Sequence, residues 1–300
     1  MESGIVNILI STYNGEKYIK EQIDSVLSQS YPSVRIYVRD DGSSDNTMEI
    51  LRGYARKGQI RLLYGKNVGY GRSFGRLLKA AEEGDYWAFC DQDDVWLPDK
   101  VKWAVEWLEK QPDGVPALFG SSYELTDETL EVTTGIVGPP RYTLDFRRSL
   151  TDCVYMGFAM TFNRPLRTLM LAGNMDRITS HDWWAQILAQ RFGIHYFDSR
   201  IAAKHRRLST SISGMDMKNR FKWMFNTFRT GETGTRSCAR AYTRTYGRCM
   251  RDKEAEYASW FSAGRYHPGL ALRKALYPGR WRPVISSEIV YRFLMLAGRI

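Results

Sequence analysis

Three carboxylates fall within four residues in Asp91-Gln92-Asp93-Asp94, directly after the apolar run from Tyr86 to Cys90. Like charges this close repel, so the arrangement is costly unless a cation neutralises it. Alternate carboxylates at a strand end can hold Mg²⁺ or Mn²⁺ through one or two oxygens and leave the metal's other positions to water and phosphate. Such an ion offsets charge that builds on a departing diphosphate. The same text also fits a solvated acidic turn that caps the helix opened by Pro98. A second cluster, Asp40-Asp41-Gly42-Ser43-Ser44-Asp45, has Gly42 for a tight turn and Ser44 or Asp45 to cap a helix. Its carboxylates can in addition accept hydrogen bonds from a nucleobase imide or a ribose hydroxyl. A third polar cluster is Ser11-Thr12-Tyr13-Asn14-Gly15.

Each cluster ends a stretch that reads as a strand. Ile5 to Ile10 is a short apolar run rich in β-branched residues, and Val34, Ile36 and Val38 alternate. Ile60 to Tyr64 and Tyr86 to Cys90 are further strand candidates. Helical spacing falls over Glu16 to Ser28, Asp45 to Arg56 and Ser73 to Glu83, and Pro98 opens another helix. Four β-then-α units predict a parallel sheet covered by helices, with ligands beyond the carboxyl ends of the strands. Residues 113–215 are less regular: Asn163 to Leu171 and Ser180 to Arg191 read as helical, and Ile194 to Phe197 as a strand.

The chain has 300 residues, 43% hydrophobic, 25% charged and 13% aromatic, which excludes a disordered chain. No apolar run reaches the roughly 18–20 residues that cross a bilayer, and no secretory signal opens the sequence. The four cysteines show no C-x-x-C spacing, which argues against a disulfide scaffold or zinc ribbon and fits a reducing cytosol. The net charge of +10 is uneven: residues 216–300 hold 17 Lys and Arg against 6 Asp and Glu, and the remainder holds 26 against 27. A near-neutral globular part and a basic tail that prefers anionic partners follow from this.

Ile8-Leu9-Ile10-Ser11-Thr12-Tyr13-Asn14-Gly15-Glu16-Lys17-Tyr18, Val38-Arg39-Asp40-Asp41-Gly42-Ser43-Ser44-Asp45, Asn67-Val68-Gly69 and Cys90-Asp91-Gln92-Asp93-Asp94-Val95-Trp96-Leu97-Pro98-Asp99-Lys100 together resemble the inverting GT-A glycosyltransferases of family 2. The Asp-Gln-Asp-Asp-Val-Trp wording is most similar to the bacterial rhamnosyltransferase-like branch that builds cell-wall and O-antigen polysaccharides. The resemblance covers residues 5–215 and implies an α/β, Rossmann-like GT-A fold with a mainly parallel sheet flanked by helices. It divides the chain into 1–215, with a nucleotide-sugar half (1–112) and an acceptor half (113–215), and a basic helical region, 216–300.

The resemblance also assigns roles. Ser11, Thr12, Tyr13, Asn14, Asp41 and Asn67 would contact the donor, with Tyr13 stacking on the base. Asp93 would ligate Mn²⁺ or Mg²⁺, and Asp91 would contact the ribose or a metal-bound water. Asp94 would orient the loop or meet the donor sugar. Asp182, in Ser180-His181-Asp182-Trp183-Trp184, would be the base that deprotonates the acceptor, with Trp183 and Trp184 offering flat surface to a sugar. Asp182 can equally be a first-turn acid favoured by the helix dipole, with its Trp neighbours in the core. His205 would complete the metal site or touch the diphosphate, and Lys204, Arg206 and Arg207 would attract diphosphate oxygens. Its surroundings depart from the family pattern, as does Gly75, where relatives often carry Asn.

In residues 216–300, Arg and Lys interleave with Phe221, Trp223, Phe225, Phe228, Trp260, Phe261, Trp281 and Phe293. This suits an anionic membrane surface, or a helical subdomain with a solvated basic face and its aromatics in the core. Nucleic acid is the weakest of the three readings. The expected function is transfer of a sugar, L-rhamnose from dTDP-β-L-rhamnose or another sugar from a UDP donor, onto a lipid-linked or oligosaccharide acceptor. The expected setting is peripheral on the cytoplasmic face of the inner membrane, with a homo-oligomer left open. The rival is a non-catalytic membrane-surface or nucleic-acid-binding protein on a degenerate transferase fold.

Overall fold

The computed structural model describes residues 3–207, 233–247 and 253–300. The predicted alternation opens the chain: β1 (Val6–Thr12), α1 (Ile19–Leu27), β2 (Val34–Asp40), α2 (Thr47–Arg56), β3 (Arg61–Tyr64), α3 (Tyr70–Ala80), β4 (Tyr86–Asp91), a short β5 (Val95–Trp96) and α4 (Lys100–Leu108). There follow β6 (Ala117–Thr126), β7 (Thr133–Val137), α5 (Phe146–Ser149), β8 (Met160–Asn163), α6 (Arg164–Ala172), α7 (His181–Phe192) and β9 (Ile194–Arg206). Helices α8 (Gly234–Tyr246), α9 (Lys253–Ser262), α10 (Pro268–Ala275) and α11 (Ile285–Leu296) come last.

Among the described residues nine strands form one sheet, ordered β3-β2-β1-β4-β8-β6-β9-β5, with β7 on β6. The first four are parallel, as their unbroken apolar runs require. The second half is mixed: β8 runs antiparallel to both β4 and β6, and β9 runs parallel to β6. The strand predicted from Ile194 to Phe197 continues to Arg206, through register shifts opposite Ser121 and Ser122. Helix α3 begins at Tyr70, before the predicted Ser73, because Gly69 takes a φ of 82° that turns the chain into the helix.

One face of the sheet packs on α1, α2 and α4 through Ile19, Ile23, Leu51 and Val101. The other face packs on α3, α6 and α7, and the late helices share that same core, with Tyr242, Phe261, Trp281 and Leu294 fully buried. The aromatic residues Trp260, Phe261 and Trp281 are therefore core, and Phe293 alone of the four described is exposed. Phe221, Trp223, Phe225 and Phe228 lie outside the described residues. Among the described residues Cys90, Cys153 and Cys238 are free, and no helix is long and apolar enough to cross a membrane.

Candidate active site

The parallel strands end around a cleft of about 320 Å³. The end of β1 contributes Ser11, Thr12 and Tyr13, the end of β2 contributes Asp41, and the segment before α3 contributes Asn67, Gly69 and Tyr70. Asp91, Gln92 and Asp93 close it from the end of β4. The register explains the convergence, since Ser11 pairs with Asp91 on one side and with Arg39 on the other.

Two hydrogen-bond systems hold these walls. Gln92 Oε1 accepts from the Thr12 hydroxyl at 2.6 Å and from the Tyr13 N–H at 2.9 Å. Gln92 Nε2 donates back to the Tyr13 carbonyl at 3.3 Å. A Cβ on Gly15 would stand 2.5 Å from that Oε1, so glycine is what lets the two loops meet. On the other wall, the buried Arg39 guanidinium pairs with Asp41 and donates to Ser73 Oγ at 2.9 Å, and Ser11 donates to the same oxygen at 2.6 Å. Asp41 also accepts from the N–H groups of Val68, at 3.0 Å, and Gly69, at 2.9 Å, which fixes the segment that carries Asn67.

The carboxylates at the end of β4 repel one another under cover. Burial, then the charges of Asp94 and Asp93, push the Asp91 carboxyl well above its ordinary range. Burial and the Asp94 charge push Asp93 up to about 6. A pair of hard oxygen donors in a pocket that disfavours negative charge is the donor chemistry Mg²⁺ or Mn²⁺ takes. Among the described residues no group of three or more His, Cys, Asp or Glu is arranged as a metal cage. An ion here would draw its other ligands from water and phosphate oxygens.

Several expected contacts are corrected. Asp94, expected to orient the loop or meet the sugar, does not line the cleft: it is buried behind it, with Oδ1 2.7 Å from His205 Nδ1. The antiparallel pairing of Val95 with Lys204 brings these two together. His205 does not line the cleft. Its ring stacks on Phe158, centroids 4.6 Å apart. Burial lowers its pKa, but the Asp94 bond and the Asp91 and Asp93 charges outweigh that and raise it. Arg206 is spent inside the protein, on Glu21, the Asp93 carbonyl and the Glu128 carbonyl. Asn14 is also absent from the cleft lining: with φ at 49° it ties two loops together, its N–H donating to Ser43 Oγ and its Oδ1 accepting from Ser44 N–H, each at 2.9 Å.

Asp182 sits in the first turn of α7, with Oδ1 accepting from the Trp183 N–H at 2.8 Å. Asp182 is not itself among the residues that line the cleft; its neighbour His181 meets the ring of the lining residue Tyr70, centroids 6.2 Å apart. Close packing sets this position. A Cβ on Gly71 of α3 would lie 2.5 Å from the Thr179 carbonyl, and the His181 ring packs against Phe74 at 4.0 Å and Phe89 at 4.4 Å. Gly75 likewise leaves room for Met175, 2.9 Å from where a Cβ would be. Trp184, expected to offer a sugar a flat face, is wholly buried with Nε1 donating to the Met170 carbonyl, so it has no face to offer. Trp183 is half-buried, donates to the Ser149 carbonyl at 2.6 Å and lies against Gly234.

Two residues of the site escaped sequence reasoning. Gln92 is the clamp between loops, and its place inside the Asp-Gln-Asp text hid it. Tyr70 lines the cleft with an exposed ring, and burial together with the Asp182 and Asp91 charges raises its phenol. Its position directly after Asn67-Val68-Gly69 was the available signal.

A parallel first half, a mixed second half and acidic residues at the end of β4 define a GT-A fold. The solved structures agree on the fold. TarS 1-349 from S. aureus superposes with a TM-score of 0.57 at 15% identity, over 98% of this chain and 90% of that one. The mannosyltransferase PcManGT from Pyrobaculum calidifontis, in complex with GDP-Man and Mn²⁺, gives 0.51 at 15% identity, over 99% and 85%. The sequence profile of glycosyl transferase family 2 matches residues 7–169, and the chain belongs to that family. The dTDP-rhamnosyl transferase RfbG of Shigella flexneri is 39% identical over 105 residues, 33% of this chain and 36% of its own. An uncharacterized glycosyltransferase of Rickettsia conorii is 36% identical over 126 residues, 41% of this chain. That match spans only 20% of the Rickettsia protein's length.

Proposed function

We propose that the chain is an inverting glycosyltransferase that moves a sugar from a nucleotide-diphospho-sugar to an acceptor hydroxyl. Tyr13 would stack on the base, and Ser11, Thr12, Asp41 and Asn67 would shape the nucleoside pocket. Asp93, with Asp91, would hold Mn²⁺ or Mg²⁺, which when bound neutralises diphosphate charge. Asp182 would accept the acceptor's hydroxyl proton while that oxygen bonds to the anomeric carbon. The bond from that carbon to the diphosphate oxygen breaks on the opposite side, and the nucleoside diphosphate leaves with the electron pair. Displacement in line inverts the anomeric centre, so a β-linked donor yields an α-linked product.

The observation that supports this reading is the cleft at the ends of the parallel strands, where Asp91 and Asp93 share a wall system with Ser11, Tyr13 and Asp41, and where the lining residue Tyr70 meets the His181 ring, next to Asp182, at 6.2 Å. The likeness to the dTDP-rhamnosyl transferase RfbG favours a dTDP-rhamnose donor; to this the reading adds a lipid-linked polysaccharide precursor as acceptor, at the cytoplasmic face of the inner membrane. A UDP-sugar is the second reading, because TarS 1-349 shares the fold and has been solved with UDP and with UDP-GlcNAc. Titration calorimetry with dTDP and UDP, each with and without Mn²⁺, followed by turnover of a panel of nucleotide sugars, tests both. Tight binding of dTDP but not UDP supports the first reading, and the reverse supports the second. Binding of neither overturns the transferase and leaves a binding protein on this fold.

A further inference from the structure

We infer that the outer face of α10 and α11 is a docking surface for an anionic phospholipid bilayer. More than half of the large apolar side chains that stand exposed among the described residues fall between 266 and 296. On α11, Ile285, Ile289, Phe293 and Leu296 lie within an arc of about 80° at helical spacing. The opposite side of that helix carries Glu288, Tyr291, Leu294 and Met295, all buried. Leu272 and Leu276 extend the apolar face on α10, and the six side chains are between 45% and 69% exposed. The two helices are locked side by side. Arg292 donates to the Ala275 and Gly279 carbonyls at 2.6 and 3.0 Å, and Trp281 Nε1 donates to the Lys274 carbonyl at 2.9 Å. Neither helix is long enough to span a bilayer, so an apolar face this wide would lie in the interface plane.

Charge selects the occupant. Residues 264–300 hold seven Lys and Arg and one acid, Glu288. That acid is turned inward, accepting from the N–H groups of Trp281 and Arg282 and from Arg292. Arg273 is paired with Glu256 of α9. Arg265, just before α10, and Arg280, between the helices, are exposed, and their guanidinium groups have no hydrogen-bond or ion-pair partner among the described residues, the Arg280 carbonyl alone accepting from Arg147. Apolar side chains flanked by unpaired cations match anionic headgroups over acyl chains. A second copy placed face to face would set like charges against one another. The purpose of the surface rests on the reading above, in which the acceptor is carried by a lipid; the binding itself does not.

The test is flotation of the full chain with phosphatidylcholine vesicles, with and without phosphatidylglycerol, at low and high salt. The wild type should float with the anionic vesicles and release as salt rises. Ile289→Asp and Leu276→Asp, both at exposed positions, should each cut the bound fraction about tenfold, and Arg265→Glu with Arg280→Glu should weaken binding to anionic vesicles alone. Circular dichroism and dTDP or UDP calorimetry on the same samples report folding and the nucleotide site. No flotation by folded wild type overturns the surface while leaving the transferase reading intact. The same holds if light scattering finds a dimer that Ile289→Asp dissociates. Flotation without nucleotide binding does the reverse.

Discussion

Asp94 and His205 meet behind the cleft across 2.7 Å, brought together by the pairing of the short β5 with the end of β9. The Asp94 side chain is fully buried and its second oxygen has no hydrogen-bond partner. Breaking a buried pair strands the remaining charge, which costs more than the pair is worth. His205→Ala should therefore lower stability by about 3 kcal/mol. Urea denaturation measures it, and a loss within error of zero would mean that the pair holds nothing in place.

Asp93 and Asp182 differ in what they should do when removed. Asp93→Ala should abolish the Mn²⁺-dependent part of nucleotide binding and turnover together. Asp182→Asn keeps the shape and the bond to the Trp183 N–H but cannot take a proton. It should bind nucleotide as the wild type does and lose roughly 10²–10⁴ in turnover. Near-normal turnover by Asp182→Asn would falsify the base assignment.

The parallel half was legible because short apolar runs with polar text at their ends have few other ways to fold. Side-chain direction was not legible. Asp93 and Asp94 are neighbours in the turn between β4 and β5, yet one lines the cleft and the other is turned into the protein. His181 likewise turns into the aromatic core, against Phe74 and Phe89. Nor could the text reveal that β9 runs as far as Arg206, since its pairing with β6 passes through irregular register. Trp184 and Arg206 show why: residue type suited the expected task, and long-range packing had already engaged the side chain.

Two glycines make a matched test of the α3–α7 contact. Gly71→Ala would press a methyl group toward the backbone carbonyl of Thr179, 2.5 Å from the ideal Cβ position. It should destabilise by about 1–3 kcal/mol and move the first turn of α7, so turnover should fall while nucleotide affinity holds. Gly53→Ala, inside α2 with nothing within 4 Å, should instead stabilise by about 0.5–1 kcal/mol. Equal effects at the two positions would show that the approach of α3 to the 178–180 segment does not constrain the site.

His181 gives a stability signature that depends on acid. Its ring is buried against Phe74 and Phe89, neither ring nitrogen has a hydrogen-bond partner, and burial takes its pKa down from 6.5 to about 4. Above pH 6.5 the ring is neutral folded or unfolded and contributes no pH dependence. As the pH falls from 6.5 toward 4, the unfolded chain takes up a proton that the folded chain refuses, so stability drops through that window and then levels. The total is about 3 kcal/mol. Asp91 and Asp93 act with the opposite sign, because their raised carboxyls bind protons in the folded state first. The difference between wild type and His181→Leu isolates the histidine, as the carboxyls are common to both. Denaturation from pH 7 to pH 4 should find the variant less sensitive to acid. Parallel curves would mean that the ring is protonated, or reached by water, in the folded protein.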